Sequence, residues 1–446
     1  MSNIYDFQTS YSLVKRYVIF AFKRFYGEYI VTGRENIPKE GPVIFAANHL
    51  NALMDALAVI SVLPHKMPIV YLGRADLFKN KTFASILEFS KILPAFRMRD
   101  GAENLEKNHG IFECCVDVLD HNHVLGIMPE GNQGPYRRLR PLVKGIFRIA
   151  FTAQQKYGTL PGVKIVPIGI DMGDFEKYGE HIIINVGKPI EVSDFMAEYT
   201  ENPVNATNLI RDRLHDDLSK LTFDLASEKY YESFETATEV ANTTADIRQN
   251  KQNKFYTRFI ARQETAKRLI TLENEEPEKA EKLEALCREY KENLNILNLE
   301  SKAFGEKPFN MVAMAFNILI LLCTIPVFMV GALFNFLPFF SPDVIRKALK
   351  IEFPGGIGSL RFGIGLITFP FFYLLQGILI CLEIKGLWWY FIFLIPLQYY
   401  FGILAFQWYQ HLKRLEVKFH FRSLEKEKSS VLERTKLIYA QINQIV

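Results

Sequence analysis

Three stretches in the last third of the chain carry no charged residue: 311–340, 362–382 and 387–409. Each reaches the roughly 20 apolar residues needed to cross a bilayer, so this part of the chain is built for a lipid environment. The third stretch has Trp388, Trp389 and Tyr390 at one end and Trp408 and Tyr409 at the other. That is the aromatic belt of a membrane span. Spans are therefore predicted over 362–382 and 387–409. Positive charge sets the expectation for the first stretch. Lys302 and Lys307 precede it, and Arg346, Lys347, Lys350 and Arg361 follow it. The link between the later two stretches, "EIKG", has no net charge, and Lys413, Arg414, Lys418 and Arg422 follow the last. Cytoplasmic loops hold the excess of Lys and Arg. The pattern puts both ends of 311–340 on the cytoplasmic side and predicts a re-entrant hairpin there, bent at Pro326, Gly331 and Pro338. Residues 411–446 read as a basic cytoplasmic tail.

The rest of the 446-residue chain reads as water-soluble. Residues 11–28, "YSLVKRYVIFAFKRFYGE", interleave Lys15, Arg16, Lys23 and Arg24 with aromatic and aliphatic residues. No uncharged run there is long enough to span a bilayer, and residues 1–28 are expected to hold a helix lying in the membrane interface. From 29 to 202 short β-rich runs alternate with helical patterns: "EYIVTG", "GPVIFAANH", "MPIVYLG", "VLGIMPEG", "VKIVPIGID" and "HIIINVGKPI". Such alternation implies an α/β domain on a largely parallel sheet. Residues 203–305 switch to Glu- and Lys-rich segments with apolar residues three and four apart, a helical region. A membrane domain over 306–410 and the tail complete the predicted layout. A net charge of +4 gives no nucleic-acid signature. The five cysteines show no metal spacing such as C-x-x-C and read as reduced thiols.

Chemistry is concentrated in four short blocks of the α/β region. "AANHLNALMDALAV" places Asn48, His49, Asn51 and Asp55 inside an apolar run. A histidine can take a proton from a hydroxyl, and a carboxylate beside it fixes its tautomer. Six positions on one continuous helix lie about 240° apart, on different faces. The pair can meet only if His49 ends the preceding strand or loop, Asn51 caps the helix, and Asp55 folds back from its early turns. "LPAFRMRDG" brings Arg97 and Arg99 after a buried strand, and arginine's planar fork suits phosphate. "IMPEGNQGPYRRLRPLVKG" has a tight turn at Glu130-Gly131, followed by Arg137, Arg138, Arg140 and Lys144. "VKIVPIGID" is a strand expected to end at Pro167 and to line the same pocket.

The order of these blocks resembles the glycerolipid acyltransferase family, which acylates glycerol phosphates and lysophospholipids. That family carries Asn-His with a downstream Asp, a strand ending in Arg, Pro-Glu-Gly, and a Val-Pro strand. All four stand in this order between residues 30 and 195, with "VTGRENIPKEGPVIFAANH", "GRADLF" and "VGKPIEV" flanking them. The resemblance implies a glycerolipid-acyltransferase-like αβ domain with a helical insert and C-terminal transmembrane helices. It makes His49 the general base and Asp55 its orienting carboxylate. It gives Arg97 the acceptor phosphate, and Glu130 and Gly131 the shaping of that site. Five residues separate His49 from Asp55, where most members have four; a subgroup resembling fungal glycerol-3-phosphate and dihydroxyacetone-phosphate acyltransferases also has five. The family's Glu-Gly-Thr-Arg-Ser is "EGNQG" here, so its arginine is missing, and Arg137, Arg138 or Lys144 is expected to stand in. The implied activity is transfer of a fatty acyl chain from acyl-CoA or acyl carrier protein, as co-substrate, to glycerol 3-phosphate or 1-acylglycerol 3-phosphate in phospholipid synthesis. Membrane phospholipids are the surroundings, the catalytic domain faces the cytoplasm, and no metal or redox cofactor is implied. The alternatives are a lysophospholipid acyltransferase of membrane remodelling, a membrane lipid hydrolase, which would need a nucleophile although no G-x-S-x-G occurs, and a non-catalytic scaffold.

Overall fold

The computed structural model describes residues 4–6, 8–96, 108–134, 136–157, 162–245, 254–305, 310–350, 356–383 and 390–446. The chain divides into two compact units. One comprises Met1–Asp224 with Phe353–Ser359, the other Leu225–Glu352 with Leu360–Val446. The first boundary falls between Asp224 and Leu225, so the first helix of the expected helical region belongs to the α/β unit.

The first unit is built on an eight-stranded sheet. Its strands are β1 (Glu28–Thr32), β2 (Val43–Ala47), β3 (Ile69–Arg74), β4 (Ile92–Ala95), β5 (Val124–Ile127), β6 (Lys164–Met172), β7 (His181–Val186) and β8 (Ile190–Glu191). They lie in the order β1-β7-β6-β2-β5-β3-β4, with β8 beside β6. All pairings are parallel except those of β6 with β7 and β8. The Val- and Ile-rich strands are covered on both faces, which is why they read as continuous apolar runs rather than alternating ones. Among the described residues seven α-helices accompany them: α1 (Thr9–Phe25), α2 (Ala52–Val62), α3 (Lys81–Phe89), α4 (Asn108–Asp120), α5 (Gly145–Tyr157), α6 (Met196–Glu201) and α7 (Pro203–Leu221). On one face Ile44, Ala46, Leu125 and Ile165 pack with Phe147, Phe151 and Leu218.

Two departures from expectation lie here. Strand β6 does not end at Pro167; it continues to Met172. Pro167 pairs with Ala46 in the middle of the sheet, and the missing N–H is tolerated there. It is residues 170–173 that extend towards the ends of β2 and β5. Lys15 is also not an interface cation. Its ammonium is buried and donates to the carbonyls of Pro64 and Met67 at 3.1 and 2.7 Å. Burial lowers its pKa to about 8.

The second unit is helical: α8 (Tyr231–Ala245), α9 (Lys254–Glu275), α10 (Pro277–Leu297), α11 (Met311–Ala348), most of α12 (Ile357–Glu383), α13 (Phe391–Lys426) and α14 (Ser430–Ile445). Among the described residues, α11 and α12 are long and apolar enough to cross a membrane. The hairpin expected over 311–340 is not formed. Residues 311–348 are one helix with Pro326, Pro338 and Pro342 inside it. Apolar helices tolerate proline because neighbouring groups take up the freed carbonyls, so a proline there need not turn the chain. The third apolar stretch enters the described residues at 390, forms the first half of α13, and runs on without a break through Lys413, Arg414, Lys418 and Arg422. The expected basic tail is folded. Leu432, Ile438 and Ile442 of α14 are buried, and Arg434 pairs with Glu289 of α10 at 2.6 Å.

Candidate active site

The chain leaves β2 for β3 past β5, and leaves β5 for β6 past β2. Neighbouring strands whose connections depart in opposite directions open a crevice at their C-terminal ends, where α/β folds place ligands. Both the Asn48–Asn51 turn and the Pro129–Gly131 turn emerge there.

His49 follows β2, and Asp55 sits in the first turn of α2, as the angular argument requires. His49 Nδ1 lies 2.9 Å from Asp55 Oδ2. A carboxylate only accepts, so Nδ1 carries the proton and Nε2 is left as the basic nitrogen. The same Oδ2 accepts the backbone N–H groups of Leu50 and Asn51, each at 2.7 Å. Asp55 is fully buried, and its Oδ1 has no hydrogen-bond partner among the described residues. The His49 side chain is 21% exposed, and no described residue bonds its Nε2. Asn51 stands at the N-cap of α2 but caps nothing with its side chain. Asp55 reaches back to the N–H groups of Leu50 and Asn51 ahead of the helix, and Gln133 takes that of Ala52.

Glu130 completes the turn from the neighbouring strand. Its Oε1 accepts the His49 N–H at 2.7 Å, and its Oε2 accepts from Arg140 Nε at 2.9 Å. Arg140 Nη2 donates to the His49 carbonyl at 3.0 Å. Burial raises the Glu130 carboxyl above its ordinary value, while the His49 N–H and the Arg140 guanidinium oppose the shift. Gly131 has φ +64°, and a Cβ there would meet Val143 Cγ1 at 3.2 Å, so the turn requires glycine. Gln133 Oε1 accepts the N–H of Ala52 at 3.0 Å, and Ala52 itself holds φ +40°. On the other side, Asn48 exchanges two hydrogen bonds with the Ile170 backbone, at 2.7 and 3.0 Å.

The expected cations part company. Arg97 and Arg99 lie outside the described residues. Arg137 is spent on structure: it bonds Asp171 Oδ1 at 3.1 Å and the carbonyls of Met172 and Gly173, and it stacks 4.4 Å from the Phe175 ring. Lys144 is exposed, just ahead of α5. Arg140, one of four cations in the block and not singled out from sequence, reaches the turn that carries His49. Its signal was indirect, in that a carboxylate at a buried strand end needs a cation.

Residues 28–171 match the Acyltransferase family model. The matched stretch runs from β1 into β6 of the α/β unit. Over 112 residues this chain is 30% identical to glycerol-3-phosphate O-acyltransferase 1 of Saccharomyces cerevisiae, a stretch covering 25% of this chain and 14% of the yeast protein. Over 195 residues it is 27% identical to a 1-acyl-sn-glycerol-3-phosphate acyltransferase of Borreliella burgdorferi, covering 42% of this chain and 69% of the bacterial one. Among solved structures it is similar to the 1-acyl-sn-glycerophosphate acyltransferase PlsC of Thermotoga maritima, with a TM-score of 0.34 and 18% identity over 47% of this chain and 79% of that one.

Proposed function

We propose that the chain is a membrane-bound acyltransferase that esterifies glycerol 3-phosphate or 1-acylglycerol 3-phosphate from an acyl thioester, acyl-CoA or acyl carrier protein. The observation that carries this is His49, with Nδ1 held by buried Asp55 and Nε2 open, in a stretch that matches the Acyltransferase family model. Nε2 takes the proton of the acceptor hydroxyl, whose oxygen attacks the thioester carbonyl. The C–S bond breaks, and the leaving thiolate recovers the proton from the imidazolium. Asp55 stabilises that cation. No metal takes part in these steps. Arg97 binds the acceptor phosphate, and Arg140 is assigned the part of the missing motif arginine. Its side chain is 23% exposed, and its Nε and Nη2 hold Glu130 and the His49 carbonyl.

Membrane attachment is part of this reading. It is supported by the apolar length of α11 and α12, and by α1, whose Leu13, Val14, Tyr17 and Phe20 are exposed beside Arg16 and Arg24. The cations Arg346, Lys347, Lys350 and Arg361, which flank the Phe353–Ser359 segment of the α/β unit, favour a cytoplasmic active site. The test is thioester consumption by the purified protein, with and without glycerol 3-phosphate or lysophosphatidic acid. Acceptor-dependent consumption with ester formation is expected. Acceptor-independent consumption would make it a hydrolase, and none at all a scaffold.

A further inference from the structure

The catalytic turn is held from a third direction, by a part of the chain more than 300 residues away. Ser359 and Gly358 lie in the first turn of α12, the turn that belongs to the α/β unit. The Ser359 hydroxyl donates to the Asn51 carbonyl at 3.1 Å and lies 3.4 Å from Asn51 Oδ1. A Cβ on Gly358 would come within 2.1 Å of the Phe175 carbonyl oxygen and 3.3 Å of Asn51 Nδ2. Both Asn51 and Ser359 are buried, at 1% and 9% exposure.

Asn51 is the node of these contacts. Its N–H holds Asp55 Oδ2, its carbonyl accepts the Met54 N–H at 2.8 Å, and its Nδ2 donates to the Phe175 carbonyl at 2.9 Å. Phe175 is in turn covered by the Arg137 guanidinium. One residue separates Asn51 from His49. A shift of Asn51 therefore moves both partners of the acid–base pair, one through the chain and the other through a hydrogen bond.

We infer that Gly358 and Ser359 are positioning residues of the active site. Ser359 fixes the Asn51 backbone by hydrogen bonding, and Gly358 permits the close approach that lets it do so. The inference rests on the acyltransferase reading for its kinetic test, but not for its structural one.

The experiment uses the full chain in detergent with Ser359→Ala, Ser359→Thr and Gly358→Ala. Two quantities are read, steady-state acyl transfer and the rate at which diethyl pyrocarbonate modifies His49, followed on its own peptide with His121 and His181 as internal controls. Loss of one hydrogen bond should lower kcat of Ser359→Ala about three- to tenfold and leave KM for the thioester within about twofold. Ser359→Thr keeps the hydroxyl and should restore kcat. Gly358→Ala, which must displace the Phe175 carbonyl, should lower kcat on the order of a hundredfold. The His49 modification rate should change in the same order across the variants while the controls hold. A Ser359→Ala enzyme with wild-type kcat and an unchanged His49 rate overturns the inference. So does a threonine variant as impaired as the alanine one, or a loss of thermal stability with neither readout moved. If Gly358→Ala fails to fold, the Ser359 pair decides alone. If the wild type transfers no acyl group, the functional reading falls, and the His49 rate still decides the role of Ser359.

Discussion

Both units of the molecule bury polar side chains, and they use them differently. In the α/β unit, Asp55, Glu130, Gln133 and Arg140 converge on the backbone of one short turn. In the helical unit the polar groups tie helix to helix. Asn335 of α11 donates to the Gln398 carbonyl of α13 at 3.0 Å and accepts from Tyr373 of α12; Gln376 donates to the Phe334 carbonyl; Trp408 donates to the Leu321 carbonyl. Gly331 lets the backbones close in, since a Cβ there would stand 2.2 Å from the Phe401 carbonyl oxygen. The outer faces of these helices remain apolar, with Val312, Leu333 and Ile367 exposed by 73% or more. An unpaired buried polar group is costly in either setting. One unit meets that constraint by building a site, the other by fixing a bundle.

The sharpest separation comes from His49→Ala and Asp55→Asn. Each should lower acyl transfer by roughly 10³–10⁴-fold, as the base or its tautomer control is lost. The thermal midpoint should hardly move for His49→Ala, and a His49→Ala enzyme turning over normally would remove the mechanism. Glu130→Ala should lose both activity and stability. It leaves the His49 N–H and Arg140 without their acceptor, at a cost of about 2–3 kcal/mol, because Arg140 is partly exposed. Denaturant unfolding measures it, and an unaltered midpoint would make Glu130 a substrate contact only.

Lys15 tests whether every buried polar group of the α/β unit serves the site. Its pKa is lowered by burial from 10.5 to about 8, so between those values the unfolded chain binds more protons than the folded one. Stability should therefore rise as pH increases through that window, by about 3 kcal/mol over its whole span. Lys15→Met should flatten the rise without affecting turnover, and a flat wild-type profile from pH 7 to 10 would contradict it. The smallest effect belongs to Asn335→Ala. Interhelical hydrogen bonds in membrane helices are worth about 0.6 kcal/mol on average and up to about 1.7, so unfolding in detergent should shift by that much with kcat unchanged. A large loss of kcat would show that the bundle contributes to the chemistry.

How much of this could be read from sequence differs between residues for physical reasons. The sheet was legible because its strands are short, Val- and Ile-rich and punctuated by turn residues. The meeting of His49 and Asp55 was legible because helix geometry leaves only one way to join residues six apart. The role of Arg140 was not. Four cations fall within eight residues of one irregular loop, and which of them faces Glu130 depends on how that loop returns across β5. Arg137, equally plausible by composition, is consumed by the carbonyls at the end of β6. The hairpin over 311–340 failed because proline was weighed as it acts in water, where its lost hydrogen bond and ring clash break helices. The link from Ser359 to Asn51 leaves no local trace at all, since 308 positions separate the two.

The turn carrying His49 has almost no conformation of its own. Its anchors Glu130 and Gln133 join it from 81 positions further along the chain, and Arg140 from 91. The left-handed Ala52 within it is unfavourable without them. Contacts of such sequence separation form only after the chain entropy between them has been spent, so they come late in folding. In a refolding experiment, circular dichroism should recover before acyl transfer does. During synthesis, a nascent chain that has not yet released Arg140 from the ribosome holds its histidine and aspartate without the frame that makes them a pair.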